Sequence, residues 1–169
     1  MKNVLIHIGA ALLSVQSTES VLRLCMTYVI QKQSVPLTIE SLESIKENES
    51  DKTLGYFMQQ VRYRSEIDDD FDGKLKTFLI NRNKLVHHLV DSDCFDIFDV
   101  ENLSEAHNFL SSIINDAEYI GNVFYGVCRL WEEQNGFSIA PDKRLPIEVD
   151  IRFKEIAKNT FFEGSTFKK

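Results

Sequence analysis

The sequence contains few of the residues that interrupt helices. Seven glycines and three prolines are present among 169 residues, and only Gly73 falls between residues 56 and 120. Because glycine and proline mark most turns and strand ends, this shortage argues against an all-β fold. The length is that of one domain, and 43% hydrophobic and 27% charged residues are ordinary for a globular protein. We therefore expect a single helical domain over residues 1–169.

Cysteine pairs, basic charge and glycine-rich loops are also scarce. Cys25, Cys94 and Cys128 are widely spaced and form no C-x-x-C pair, so we expect reduced thiols in a cytoplasmic protein. The net charge of −7 argues against a surface that neutralises phosphates along a whole nucleic acid. No glycine-rich phosphate loop is present, and we expect neither nucleoside triphosphate chemistry nor a cofactor.

Long hydrophobic runs are missing as well. No stretch approaches the roughly 20 consecutive apolar residues that span a bilayer, so we expect a protein without a membrane contact. The start, Met1–Asn3 followed by apolar residues to Val15, is superficially similar to a signal peptide. The apolar spacing continues in phase to Val29 without a cleavage site, which indicates a folded helix instead.

Apolar residues recur every three or four positions over most of the chain, as on one face of a helix. The predicted helices span residues 3–32, 52–64, 70–91 and 101–135, with a further short helix near 152–158. These elements predict an all-α bundle of four to five helices. We expect its core within residues 1–136, followed by a C-terminal extension over residues 137–169.

Cap residues support these bounds. Asp51 is the expected N-cap of the second helix, and Gly136 suits the C-terminal end of the fourth. The acidic segment 66–72 suits the positive end of the third helix. Segment 37–45 is expected to form at most a short packed turn or helix.

The apolar row of the first helix consists of Leu5, Ile8, Leu12, Val15, Leu22, Met26 and Val29.

Two charged residues interrupt the apolar rows near their centres. Glu19 lies midway along the row of the first helix and Arg82 midway along that of the third. Because an unpaired charge in a core loses several kcal/mol of solvation, we expect the two side chains to pair. The pair either fixes the register of the helices or holds the arginine rigidly for binding phosphate.

The residues after Arg82 add proton-transfer chemistry. Asn83 and His87 are i,i+4 neighbours on one helix face, and Arg82 lies at its core-facing edge. Histidine moves protons near neutral pH, and arginine supplies charge and donors to phosphate oxygens. The set of Arg82, Asn83 and His87 is therefore a candidate acid/base and electrostatic site. A homodimer that apposes two copies of the third helix would double this set.

The stretch LINRNKLVH, residues 79–87, resembles the Arg-x(4–6)-His motif of the HEPN (higher eukaryotes and prokaryotes nucleotide-binding) superfamily. The resemblance implies an all-α homodimer whose facing motifs line a cleft, acting in many members as a metal-independent endoribonuclease. It implies that histidine moves the proton of the ribose 2′-hydroxyl and that arginine stabilises pentacoordinate phosphorus. Many members are toxins or abortive-infection effectors of bacterial defence, some of them controlled by an antitoxin or another regulatory protein.

By motif position, Arg82 corresponds to the family arginine, Asn83 to the polar residue and His87 to the histidine. His88 also satisfies the allowed spacing, and Glu19 is a possible supporting residue. Leu89 stands where one branch of the family has a tyrosine that is modified for silencing. The alternative function, which some members of the family show, is a catalytically inactive helical module that binds nucleotides or proteins.

Other histidines give weaker signals. His87, His88 and Asp91 are considered as metal ligands, but no second cluster supplies the remaining ligands, and we expect no metal site. His7 and His107 lie on or near apolar rows, where histidines with satisfied hydrogen bonds are expected.

Overall fold

The fold is described from a computed structural model, which covers residues 2–30, 40, 43–44, 47, 52–89, 100–134, 136 and 147–162. These residues form helices and the turns next to them, and contain no β-strand. The helices are α1 (Lys2–Tyr28), α2 (Leu54–Arg64), α3 (Asp69–His87), α4 (Val100–Gln134) and α5 (Ile147–Phe162). The predicted all-α bundle is confirmed.

The two longest helices, α1 and α4, run parallel and make the most extensive contact of the bundle. His7 lies against His107 at one end, and the Thr18 hydroxyl donates to the carbonyl oxygen of Ala117 over 2.7 Å further along. A Cβ atom on Gly121 would lie only 3.1 Å from the Thr18 hydroxyl. The small residue at position 121 therefore allows the close approach of α4 to α1.

The other helices cover this pair. In α3, Phe71 contacts Phe124 and Lys84 contacts Phe109, so α3 is antiparallel to α4. The helix α5 also packs on α4, where Lys154 pairs with Glu133 near the end of α4. The shared core is formed by fully buried side chains of all five helices, which include Leu22, Met26, Phe57, Met58, Leu75, Phe78, Ile113, Ile120, Phe124 and Phe161.

Helix bounds agree with the sequence where caps are strong. The N-cap of α2 is Thr53 and not the predicted Asp51, because the Thr53 hydroxyl accepts a hydrogen bond from the backbone N–H of Tyr56 and the helix begins at Leu54. The N-cap of α3 is Asp68, and three further aspartates occupy its first turn, where the helix dipole favours negative charge. Gly136 has the positive φ of 74° expected of a residue that terminates α4.

Two predicted helix ends differ from the structure. Helix α1 ends at Tyr28 rather than at residue 32, because the N–H groups of Val29 and Ile30 both turn back to the carbonyl of Cys25. Helix α3 ends at His87 rather than at residue 91, and the N–H of His88 closes its last turn on Lys84. The apolar pattern continues past both ends because the turn residues are themselves apolar.

One member of the predicted apolar row of α1 is wrong. Leu5 is 61% exposed, and Val4 takes its place in the core at 2% exposure. Because nearly every residue between positions 4 and 15 is apolar or small, the spacing alone does not decide which face packs on α4.

By length and composition alone, residues Asn3–Thr27 would also suffice to cross a membrane, a property shared by core helices of soluble proteins.

The region assigned to a C-terminal extension contains a longer helix than the predicted segment 152–158. Ala157 and Phe161 of α5 are fully buried in the shared core. A Cβ atom on Gly126 would lie 2.5 Å from the carbonyl oxygen of Phe153, so α5 packs directly on the α4 backbone. Residues 147–162 are therefore part of the bundle.

Several expectations concern residues outside the described part of the chain. These are Cys94, most of segment 37–45, Asp91 with the rest of segment 90–99, and the extension residues 137–146 and 163–169.

Candidate active site

The candidate site lies where α1 and α3 meet. Arg82 occupies the core-facing edge of α3 beyond Phe78, and its Nε donates to the Glu19 carboxylate over 2.7 Å. The two side chains are 21% and 19% exposed, so each charge has lost most of its contact with water. The predicted contact is confirmed, and it fixes the plane of the guanidinium group.

The same guanidinium group connects to the other two motif residues. Its Nη1 donates to Asn83 Oδ1 over 3.2 Å and lies 3.5 Å from His87 Nε2. Because arginine can only donate, this contact suits the His87 tautomer that accepts at Nε2 and carries its hydrogen on Nδ1. Sequence positions 82, 83 and 87 therefore form one connected set of side chains.

The outer edge of this set is accessible. Asn83 and His87 are exposed, whereas Arg82 is half-buried. Within the described part of the chain, Nη2 of Arg82 has no hydrogen-bond partner. The guanidinium is thus anchored through Nε and presents its outer nitrogen atoms beside the histidine. This arrangement can bind an oxyanion while a proton is exchanged with the imidazole.

The structure distinguishes the two adjacent histidines. His88 is the C-cap residue of α3, and its ring lies edge-on to that of His87 with 6.3 Å between centroids. In the described residues it makes no contact with Arg82. His87 is therefore the histidine that the helix places beside the arginine.

Two exposed apolar side chains flank the site on α3. Ile80 is 68% exposed and Val86 is 41% exposed, on the part of the helix that carries Asn83 and His87. A contiguous exposed apolar patch with polar residues at its rim is typical of contact surfaces.

In the described part of the chain, the residues near the motif form no metal site. Of the considered ligand set His87, His88 and Asp91, the last residue lies outside the described part of the chain. Among the residues that are described, no three His, Cys, Asp or Glu side chains are grouped to hold a metal ion. The available chemistry is that of the arginine, the amide and the imidazole.

A second polar cluster joins the N-terminal part of α1 to α4. His7 Nδ1 and His107 Nδ1 are 2.9 Å apart, and Ser111 Oγ lies 3.5 Å from His7 Nε2. One of the two histidines therefore donates a hydrogen bond from Nδ1 to Nδ1 of the other. The expectation that these histidines are satisfied near the core is confirmed, but their pairing was missed because 100 residues separate them.

A groove between α3 and α4 lies on a different face of α3 and does not reach Arg82. It is lined by Asp70, Gly73, Lys74, Thr77 and Asp116. Burial raises the pKa of Asp116, and the nearby Lys74 ammonium partly offsets this effect. The mixture of charges gives this groove no evident acid/base pair.

Comparisons with protein-family models, curated proteins and solved structures found no match. The case for a function therefore depends on the geometry of the site and on the motif.

Proposed function

We propose that this protein is a metal-independent endoribonuclease of the HEPN type. The observation that carries the proposal is the connected set at the α1–α3 contact. Glu19 holds Arg82 through Nε, and the same arginine directs Nη1 to Asn83 and His87. Both chemical functions needed to cleave RNA internally, proton transfer and stabilisation of phosphate charge, are adjacent in this set.

In the proposed reaction, His87 removes the proton of a ribose 2′-hydroxyl. The 2′-oxygen bonds to the adjacent phosphorus, the bond from phosphorus to the 5′-oxygen breaks, and that oxygen takes up a proton. The products are a 2′,3′-cyclic phosphate and a 5′-hydroxyl end. Arg82 stabilises the charge that accumulates on the phosphoryl oxygens, and Asn83 steadies the guanidinium group.

We propose further that the active form is a homodimer with α3 near the two-fold axis. One chain offers one histidine beside the arginine, whereas the reaction requires a base for the 2′-hydroxyl and an acid for the leaving oxygen. The second copy supplies the other imidazole. Exposed Ile80 and Val86 beside the motif support a contact at this surface.

The proposed biological role of the protein rests on the motif alone. We propose a cytoplasmic toxin or abortive-infection effector whose substrate is RNA and whose activity an antitoxin or another regulatory protein controls. The net charge of −7 agrees with RNA contact confined to the arginine site.

The test is cleavage of single-stranded RNA in the presence of EDTA by wild-type protein, Arg82→Ala and His87→Ala. Loss of the acid/base group should slow cleavage by roughly 10²–10⁴-fold. His88→Ala is the matched control, because this exposed neighbour does not contact Arg82, and it should retain activity. RNA binding without cleavage by the wild type would favour the inactive binding module instead.

A further inference from the structure

The outward side of α1 is unusually apolar for a helix at the surface of a bundle. Leu5, Ile6 and Leu13 are 61%, 62% and 69% exposed, and Leu24 further along is 50% exposed. We call these four residues, with Gly9 between them, the α1 outer face. Four large apolar side chains on one helix, each at least half exposed, are more than isolated surface residues and indicate a contact site.

Contacts within the described part of the chain give no reason for this composition. The opposite side of α1, which includes Val4, Ala11 and Val15, already forms the contact with the core. At Gly9, a Cβ atom would have no neighbour within 4 Å, so packing within the chain does not require a glycine there. A glycine in mid-helix lowers helix stability by about 1 kcal/mol relative to alanine. The outer face is therefore better explained by a contact outside the chain.

Charge restricts what that contact can be. No Asp, Glu, Lys or Arg occurs from Asn3 to Thr18, although the whole chain carries a net charge of −7. An anionic membrane would repel the chain, and the outer face offers no row of basic residues to bind lipid headgroups. Two copies of the chain can meet at this face without apposing like charges.

The position of the face relative to the site gives a second argument, which rests on the proposed function. Helix α3 runs antiparallel to α4 and therefore to α1, so residues beyond Arg82 extend from Glu19 toward the N-terminal half of α1. His87 thus lies toward the part of α1 that carries Leu5 and Leu13. A second copy bound to that part of α1 would lie beside His87, which in the proposed reaction needs a second imidazole.

We infer that the α1 outer face is an interface with a second copy of this chain, continuous with the surface of α3 around His87. The contact is isologous, with the same face used by both copies. It places α1, and not α3 alone, at the two-fold axis.

The experiment is sedimentation equilibrium of the full chain at micromolar concentration. The wild type should be a dimer, and Leu13→Glu should weaken the dimer at least tenfold because it buries two like charges at the axis. Ile151→Glu, at a position 54% exposed on α5, is the matched control and should leave the dimer unchanged. Circular dichroism melting of each variant verifies that α1 remains folded.

A Leu13→Glu protein that dimerises as strongly as the wild type overturns the inference. A wild-type protein that stays monomeric also overturns it. So does a wild-type protein that floats with phosphatidylcholine vesicles when Leu13→Glu does not. RNA cleavage separates this inference from the proposed function. A dimeric, active Leu13→Glu contradicts the interface alone, whereas a monomeric Leu13→Glu with full activity supports the interface and contradicts the two-chain site.

Discussion

At the scale of single residues, Glu19 determines how Arg82 is presented. A half-buried guanidinium group without its carboxylate loses both its fixed orientation and the attraction that compensates for desolvation. We expect Glu19→Ala to lower the free energy of unfolding by about 1–3 kcal/mol. We also expect kcat for RNA cleavage to fall at least tenfold, with a smaller change in KM. Glu19→Gln, which keeps an acceptor for Nε, should recover part of the rate.

Glu118→Ala, at an exposed carboxylate of α4, is the control for this measurement. If Glu19→Ala reduces stability but the folded variant cleaves RNA as fast as the wild type, the pair is only a structural ion pair. That was one of the two interpretations that the sequence left open.

Asp72 provides a second test at this scale. Its carboxylate pairs with Arg62 of α2 and, over 2.6 Å, with Lys76 of α3. Burial acts to raise the pKa of Asp72, but hydrogen bonds from Lys76 and Arg62 outweigh burial and hold the pKa below its usual value. Because the pKa is lower in the folded state, the stabilisation is present above the unfolded value of about 3.9 and disappears in more acidic solution.

We therefore expect Asp72→Asn to lower the free energy of unfolding by about 1 kcal/mol at neutral pH. The difference from the wild type should shrink as the pH falls below the folded pKa, since a protonated aspartate resembles asparagine. Urea unfolding at several pH values measures this, with exposed Glu155→Gln of α5 as control. A difference that does not change with pH would mean that the carboxylate charge is unimportant.

The residues of the site were predictable because their chemistry conflicts with their position. A charge on an apolar row needs a partner, and only two such charges, Glu19 and Arg82, lie near the centres of their rows. The choice between His87 and His88 was not predictable from spacing. It depends on the direction of each side chain at the end of α3, where the helix stops at His87.

At the scale of helices, apolar periodicity located each element but not every face or end. The pattern predicted the first and last residues of α2 and α4 to within two residues of the observed bounds. In α1, apolar residues on both sides concealed the outer face, and Leu5 was assigned to the wrong side. The length of α5 was underestimated because its charged positions obscure the row that contains Ala157 and Phe161. The packed face of α1 and the length of α5 depend on contacts between helices. The sequence pattern of a single helix does not show those contacts.

Glycine substitutions test how α5 is held on α4. Gly126→Ala would place a methyl group 2.5 Å from the carbonyl oxygen of Phe153 and 3.1 Å from the Ala157 Cβ, so α5 must move away. We expect the free energy of unfolding to fall by about 1–3 kcal/mol. Gly73→Ala is the matched control, because a Cβ atom at this position, in the second turn of α3, would have no neighbour within 4 Å.

The control substitution should raise stability by about 0.5–1 kcal/mol through helix propensity. Urea denaturation of both variants gives the comparison. Stabilisation by both substitutions would contradict the close packing of α5 on α4.

At the scale of the whole molecule, the topology brings together residues that no local pattern connects. Cys25 and Cys128 share a hydrogen bond in the core; burial raises the pKa of the Cys25 thiol, and Cys128 raises it further. Both are free thiols, as the sequence predicted, and both are buried, yet nothing in their spacing indicated that they meet. The same parallel alignment of α1 with α4 brings His7 to His107. Such pairings depend on which long helices are neighbours.

The two-chain site makes a prediction about mixtures. If each cleft requires His87 from both copies, a dimer of one wild-type chain and one His87→Ala chain is inactive. Random mixing of equal amounts, after dissociation and reassociation, then leaves activity in wild-type dimers only, about one quarter of all dimers. If each chain cleaves RNA with its own histidine, about half of the activity per chain remains.

The measurement is the cleavage rate in EDTA against the fraction of His87→Ala chains at constant total protein. A quadratic decrease supports the shared cleft, and a linear decrease contradicts it. His88→Ala, mixed in the same way, controls for the exchange procedure and should leave the rate unchanged. The shape of the curve distinguishes the two arrangements. At a shared site the activity of a dimer requires both of its chains, whereas at independent sites each chain contributes its own activity.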